Sequence, residues 1–429
     1  MRMPTRLAPA LLIAGALQGQ TPDPPDSQLA SLIQEALAAN PQLKASRASV
    51  DAERAKVPQA GALPDPMVSL GYQNDGYRKL TYGQSNFAFA QIGVSQTFPY
   101  PGKRRLRERI AEAGVAAADA SVERVRLDLV ASVKRTYYDL LRLRGQRTLL
   151  DAQTRLWSQV AKAAQARLEA GTGSTTDLLR AQLEQTRLAQ READLDGRTA
   201  ALEAELDRLA GRTPGAPMET GAGLDTLPLP LPPDPARASS QAVADSPELA
   251  EARHHLTHYQ QQVDLAKLDL RPDFTVGAAV MPQGSMPGMW SVSVGFNVPI
   301  WAGRKQKQAI AQARAQAEVQ DFSIQDLQQR LESLTRARVA RLQADLEVAR
   351  LYQNGLLAQS DASYQAAMAQ FSTGAASFRQ VLEALSDRLK DRSDYLDALA
   401  QAHFDAIELE RVGPGAGAQD VNAMNGGGQ

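Results

Sequence analysis

A chain of 429 residues with 22% charged residues and a net charge of -1 carries no basic surplus for a nucleic-acid partner, and at 5% its aromatics are too few for a large conventional core. It contains no cysteine, which excludes disulfides, thiol catalysis, cysteine-ligated metal and lipid attachment through an N-terminal cysteine. No run of about 18 uninterrupted apolar residues occurs, so no transmembrane helix is expected, while the dominance of Ala, Leu, Gln, Arg and Glu suits long helices.

Residues 1–20 read as an export signal. Arg2 and Arg6 form its positive segment, Leu7 to Leu17 a short apolar core broken by Pro9, and Ala14-Gly-Ala16 a small-residue cleavage site. Ser27 caps a helix that runs towards Val57, with Leu29, Leu32, Ile33, Ala36 and Leu37 on one face; Pro58, Gly61, Pro64 and Pro66 end it. The period then drops to two. Val68, Leu70 and Tyr72 alternate with Ser69, Gly71 and Gln73. After a polar turn Ala88, Ala90, Ile92, Val94, Gln96 and Phe98 share a face, which predicts a strand pair within residues 67–98. Pro99, Pro101 and Gly102 break the second strand. From Lys103 to about Arg167 there is no proline, and Val122, Val125, Leu129, Val133, Tyr137 and Leu140 step by three or four. A helix of that length is roughly 100 Å long, too long for a compact domain.

Gly171 and Gly173 mark a hairpin tip over residues 171–177, after which Thr175 or Thr176 caps a helix returning to about Ala210. Residues 211–235, rich in Pro, Gly and Asp, read as a linker. The markers then recur. NPQL at Asn40 is echoed by SPEL at Ser246; FPYPGKR at Phe98 by VPIWAGRK at Val298, with Pro99 and Pro299 200 residues apart; GTGSTTDLL by STGAASFRQVL, with Gly173 and Gly374 201 apart. Nearly constant offsets in constant order mark a tandem duplication, with halves at residues 27–210 and 246–411. In the second half, a strand pair is predicted within residues 273–300. Phe274, Val276, Ala278 and Val280 alternate with Thr275, Gly277 and Ala279, and Trp290, Val292, Val294, Phe296 and Val298 with Ser291, Ser293, Gly295 and Asn297. A long helix from Gly303 to Gln370, a tip at 373–377, a returning helix to Arg411 and a disordered tail at 413–429 complete the chain. In each half the two shorter helices together match the long one, which predicts that they stack end to end beside it.

Strands of roughly 9 to 11 residues are the length that crosses a bilayer when tilted. A lone hairpin there would leave backbone groups bare in lipid, and four strands cannot close a pore, so several copies must share one barrel. Trp290, Val292, Val294 and Phe296 would meet lipid; Ser291, Ser293, Gly295 and Asn297 would line a water-filled lumen. The predicted class is mainly α with a small β part.

The order helix, strand pair, long helix, tip, helix, twice over, with QTFPYPGKR, RTYYDLL and FSTGAASFRQVLEA, resembles the TolC-like outer-membrane efflux proteins across about residues 27–411. SQTFPYPGKR resembles the branch that serves heavy-metal resistance-nodulation-division pumps. The resemblance implies a homotrimer whose twelve strands form an outer-membrane β-barrel on a periplasmic α-helical barrel. It further implies a passive exit channel, neither an enzyme nor a cofactor carrier, that works with a periplasmic membrane-fusion adaptor and an inner-membrane pump. The tips, Gly171, Thr172, Gly173 and Ser174 with Thr373, Gly374 and Ala375, would dock the adaptor. Of two family aspartates that form acidic rings at the periplasmic gate, Gln380 stands at the first and Glu383 at the second; the tip tyrosine becomes Phe371 and a latch arginine becomes Ala376. Three Glu383 carboxylates near an axis would repel one another and attract cations, while the plainer reading is a solvated charge on a helix face. Asp177 either joins the gate or sits in a first helical turn, where a negative charge is favourable. The alternative from another class is a periplasmic adaptor or coiled-coil scaffold, which shares the helical hairpin but has a single one, flanked by soluble β modules.

His254 and His258, four apart and beside His255, lack the carboxylate that would complete a metal signature, so a solvated or inter-helix role is read. Met281, Met286 and Met289 are either soft-metal ligands or flexible apolar residues at a loop. GTGST lacks the lysine of a phosphate loop, and no nucleophile triad or carboxylate pair is identifiable.

Overall fold

The computed structural model of the chain describes residues 27–171, 174–215, 223–373 and 375–412. The expected signal at 1–20 and tail at 413–429 lie outside the described residues. The first predicted helix is two, α1 (Ser27–Ala39) and α2 (Pro41–Gly61). Pro41 excludes Asn40 from helical geometry. The buried Asn40 side chain accepts from the N–H groups of Gln42 and Leu43 at 2.8 and 3.2 Å and donates to the Leu209 carbonyl at 2.9 Å. Pro58 does not end α2, because one hydrogen bond lost in the last turn is tolerated.

The chain continues through β1 (Met67–Gln73) and β2 (Phe89–Phe98) into α3 (Lys103–Glu169), whose 67 residues span roughly 100 Å. Next come α4 (Thr175–Ala210), a single 3-10 turn at Leu224–Thr226, α5 (Pro235–Asp245) and α6 (Pro247–Leu268). Then follow β3 (Phe274–Gln283), β4 (Met286–Phe296), α7 (Gln306–Leu351), α8 (Leu357–Ser372) and α9 (Phe378–Val412). Within the expected linker at 211–235, Leu224 and Leu227 are buried, and α5 follows at once, held to α7 by a Ser239 hydroxyl donating to the Glu332 carbonyl at 3.2 Å. One expectation is corrected here. The helix expected from Gly303 to Gln370 begins only at Gln306, and a π-turn at Tyr352–Leu356, containing Gly355, interrupts it.

The long α3 is the column on which the rest is built. It packs against α1, α2, α4, α6 and α9, while α7 packs against α5, α6 and α9. Leu129, Val133, Tyr137 and Leu140 from its predicted stripe enter the main core with Leu32, Ala36, Leu43, Leu206, Leu209 and Leu399; Val122 and Val125 lie at the margin of that core. The expected end-to-end stacking is visible where α4 meets the break between α1 and α2. There Arg212 grips Glu35 through two bonds of 2.5 and 2.7 Å, beside the Asn40 bond to Leu209. Asn40→Ala removes two cap bonds and a buried inter-helix bond, so we expect a loss of about 2 kcal/mol, read as a lowered urea midpoint of the full chain. Asn40→Asp, which keeps the cap alone, should fall between.

The four strands form one antiparallel sheet in the order β1-β2-β3-β4. Met67 pairs with Ser95, Phe98 with Phe274, and Phe274 with Phe296, so every junction between strand and helix lies at one end of the sheet and both hairpin loops lie at the other.

Candidate functional site

Strand register sorts the sheet into two unlike faces. On one, the rows Leu70–Ile92–Val280–Trp290 and Val68–Val94–Ala278–Val292 run across all four strands. At the helical end this face closes with Phe98, Phe274 and Phe296, the first two rings stacked at 5.2 Å. The other face carries Ser69–Gly93–Ala279–Ser291, Ser95–Gly277–Ser293 and Thr97–Thr275–Gly295, with the two threonine hydroxyls 2.9 Å apart. Ser291, Ser293 and Gly295 therefore share a face, as the alternation predicts, and β1, β2 and β3 extend it with Ser69, Ser95, Thr97 and Thr275. Period two within each strand held that information, but only the register between strands shows which residues stand side by side. Asn297 lies one residue beyond β4, where its N–H donates to the Asp273 carbonyl at 3.0 Å and prolongs the ladder by one bond. In the single chain the apolar face is bare, with Leu70 78% and Trp290 75% exposed. A face of this kind marks an association or membrane surface.

The FPYPGKR motif builds the junction beneath the sheet. Gly102 turns the chain into α3 at a φ of 97°, a conformation that disfavours any residue with a Cβ. Lys103, whose side chain is only 4% exposed, then points back under the strands. Its Nζ donates to Asp273 Oδ1 at 2.8 Å and to the Arg271 carbonyl at 3.2 Å, and lies 3.2 Å from Asp269 Oδ1. The Tyr100 N–H donates to the same Asp273 oxygen at 2.7 Å. Partial burial pushes the Asp273 carboxyl up, but the bonds from Lys103 and Tyr100 outweigh it and hold the group below the usual carboxylate range.

At the far ends of the helices lie the tips. Gly171 has a φ of 70°. Ser174, rather than Thr175 or Thr176, caps α4, its hydroxyl accepting from the Thr176 N–H at 3.1 Å, and Asp177 is exposed in the first turn. Thr172, Gly173 and Gly374, and the side chain of Phe371, lie outside the described residues. Thr373 donates its hydroxyl to the Gln370 carbonyl at 3.0 Å, and the Ala375 N–H reaches the same carbonyl at 2.8 Å. Gln380 is engaged within its own helix, where its Oε1 accepts from the Ser377 N–H at 2.8 Å and the Ser377 hydroxyl at 3.1 Å, a capping interaction at the start of α9. Glu383 is exposed, with Arg379 Nε 3.1 Å from its carboxylate. Asp177 and Glu383 thus belong to different hairpins.

One of the histidines has a structural explanation. His258 accepts from Gln262 at Nε2 (2.8 Å) while its Nδ1–H donates to the Ile110 carbonyl of α3 (3.1 Å), so one neutral tautomer satisfies both bonds. Among the described residues no group of three or more His, Cys, Asp or Glu is arranged to hold a metal ion. Met281 pairs with Met289 and Met286 with Gln283, at the end of the sheet away from the helices. Local pattern hid two perturbed groups. Half-buried Asp345 is pushed up to about 6 by burial and by the neighbouring Asp405 carboxylate, and burial lowers His403, stacked on Tyr138 at 4.4 Å, to about 4. Their isolation shows only once α3, α7 and α9 are packed.

A sheet apolar on one face and small on the other, carried on helical columns roughly 100 Å long, defines a class: outer-membrane channels built on a helical stem. The profile of the outer membrane efflux protein family matches residues 32–212 and 238–412, and the chain belongs to that family. It is similar to the cobalt-zinc-cadmium resistance protein CzcC of Cupriavidus metallidurans, at 25% identity over 88% of this chain and 87% of that one. It is similar also to the cation efflux system protein CusC of Escherichia coli, at 24% identity over 90% of this chain and 86% of that one. The crystal structure of the Campylobacter jejuni CmeC outer membrane channel shares the fold, with a TM-score of 0.77 at 14% identity, covering 99% of this chain and 96% of that one.

Proposed function

We propose that this chain is the passive exit channel of a tripartite efflux system for metal cations, assembled as a homotrimer and coupled to a periplasmic adaptor and an inner-membrane pump. The observation that carries the reading is the two-faced sheet with two open edges. An even number of antiparallel strands leaves β1 and β4 running in opposite senses, so β4 of one copy pairs antiparallel with β1 of the next, and closure removes every bare edge from lipid. Three copies supply twelve strands, enough to leave an aqueous bore. The Ser, Gly and Thr face lines that bore and offers no charged group to trap an ion, which suits a conduit whose driving energy comes from the pump. Metal cargo is supported by the names of CzcC and CusC and by the SQTFPYPGKR motif. The adaptor alternative calls for a single hairpin flanked by soluble β modules, whereas here one sheet joins two helical hairpins.

The tips, Gly171 to Ser174 and Thr373 to Ala375, dock the adaptor, and Glu383, assisted by Asp177, forms the acidic gate; Gln380 contributes through its cap on α9. Arg379 is the counter-charge of Glu383, so the two should act oppositely. In planar bilayers the full chain is expected to form a trimeric, cation-conducting channel. Glu383→Ala should raise the divalent concentration for half-block by about five-fold, and Arg379→Ala should lower it. A monomeric, non-conducting protein would sink the channel reading; unchanged block in both variants would remove Glu383 from the gate alone.

A further inference from the structure

The segment that leads from β4 into α7 carries a surface that a conduit does not use. Val298, Ile300 and Trp301 follow the last strand and are 64%, 75% and 69% exposed. The Trp301 carbonyl accepts from the N–H groups of both Arg304 and Lys305 at 3.0 Å, so cationic side chains leave the chain within one turn of the indole, and Lys307 follows. All three cations are exposed and none has an ion-pair partner among the described residues. That sets them apart from Arg142, Arg147 and Arg388, each held by carboxylates. At the duplication offset of 200 residues stand Arg104, Arg105 and Arg107, so both halves place cations at the same three positions. Neither α3 nor α7 has an acidic residue in its first turn, the opposite of what a helix dipole favours. The first-half cations are more engaged, with Arg104 Nε donating to the Gly61 carbonyl at 2.7 Å and Arg107 near Asp273, so the unpaired charge is that of Arg304, Lys305 and Lys307.

We propose that these segments form a collar that binds anionic glycerophospholipid headgroups of the leaflet facing the helices. The inference rests on the exit-channel reading. The apolar rows end at Phe98, Phe274 and Phe296, and at about 3.3 Å per residue the next few positions reach headgroup depth. An exposed indole with aliphatic neighbours beside unpaired cations is the composition of a membrane interface: the ring sits among the acyl carbonyls and the cations meet phosphates. An acidic protein segment would answer the charge but leave three apolar side chains bare. The collar fixes the height of the sheet in the membrane.

The test uses the full chain with Trp157→Phe and Trp290→Phe, which leaves Trp301 as the only tryptophan. It is reconstituted in phosphatidylcholine vesicles doped with brominated phosphatidylglycerol or brominated phosphatidylcholine. Trp301 quenching should show roughly five-fold stronger association with the anionic lipid, collapsing in about 0.5 M salt and in an Arg304→Gln, Lys305→Gln, Lys307→Gln variant. Equal quenching by the two lipids, or a preference that survives the triple variant, overturns the collar. A companion chain with Trp157→Phe and Trp301→Phe reports on Trp290 in the sheet. If Trp290 is quenched while Trp301 shows no preference, only the collar fails; if neither lipid quenches Trp290, the sheet is not in the bilayer and the underlying reading fails with it.

Discussion

Val292→Arg is expected to cost about 2–4 kcal/mol of membrane-inserted stability per copy, whereas Ser291→Arg, one residue away, should cost close to nothing. Val292 sits in the middle of β4, in the row with Val68, Val94 and Ala278, where a guanidinium would meet hydrocarbon with no partner. Ser291 shares its row with Ser69, Gly93 and Ala279, so its replacement projects into water. The two substitutions also separate in function: Ser291→Arg adds positive charge to the bore and should shift the reversal potential in a salt gradient towards anions. Urea midpoints of the vesicle-reconstituted chains, read beside single-channel currents, decide the matter. Equal losses in both variants, or the greater loss in Ser291→Arg, would reverse the assignment of faces.

Lys103→Met should destabilise the chain by about 3 kcal/mol, since removing one partner of a buried ion pair strands the other. We place the effect at the low end of the range for buried pairs because Asp273 and Asp269 keep 27% and 51% of their side-chain surface. Its pH dependence has a definite sign. Asp273 is held below its ordinary value, so its contribution is present above the unfolded carboxylate pKa of about 3.9 and is lost as pH falls through the depressed folded value. The difference between the native chain and Lys103→Met should therefore be full above about pH 5 and shrink in stronger acid. Melting temperatures across that range test this; a difference that grows on acidification would show that Lys103 acts through something other than Asp273.

Much of this architecture was legible because its periods are long and its markers repeat. Apolar steps of three or four along Val122 to Leu140 predict the buried stripe of α3, and the 200-residue echo of Pro99 in Pro299 aligns the two halves before any contact is known. The misses share a cause: each turned on a contact distant in sequence or on competition within one turn. The break at Asn40 is made locally by Pro41, but what anchors it is a bond to Leu209, 169 residues away, and α5 is a helix of 11 residues whose support comes from α7. The cap that Gln380 makes was hidden too: its side-chain oxygen is claimed by the nearest unsatisfied donors, on Ser377, a competition within one turn.

The sequence by itself determined the alternation of the strands, the length of the helices, the duplication and the absence of any cysteine, because these are properties of neighbouring residues or of composition. Only the tertiary structure decided that the four strands join in the order β1-β2-β3-β4, that their small residues merge into one face, and that Lys103 is buried beneath them. Those outcomes depend on the β2 to β3 pairing, which joins residues 176 to 188 apart in sequence, and no local pattern encodes which edge meets which.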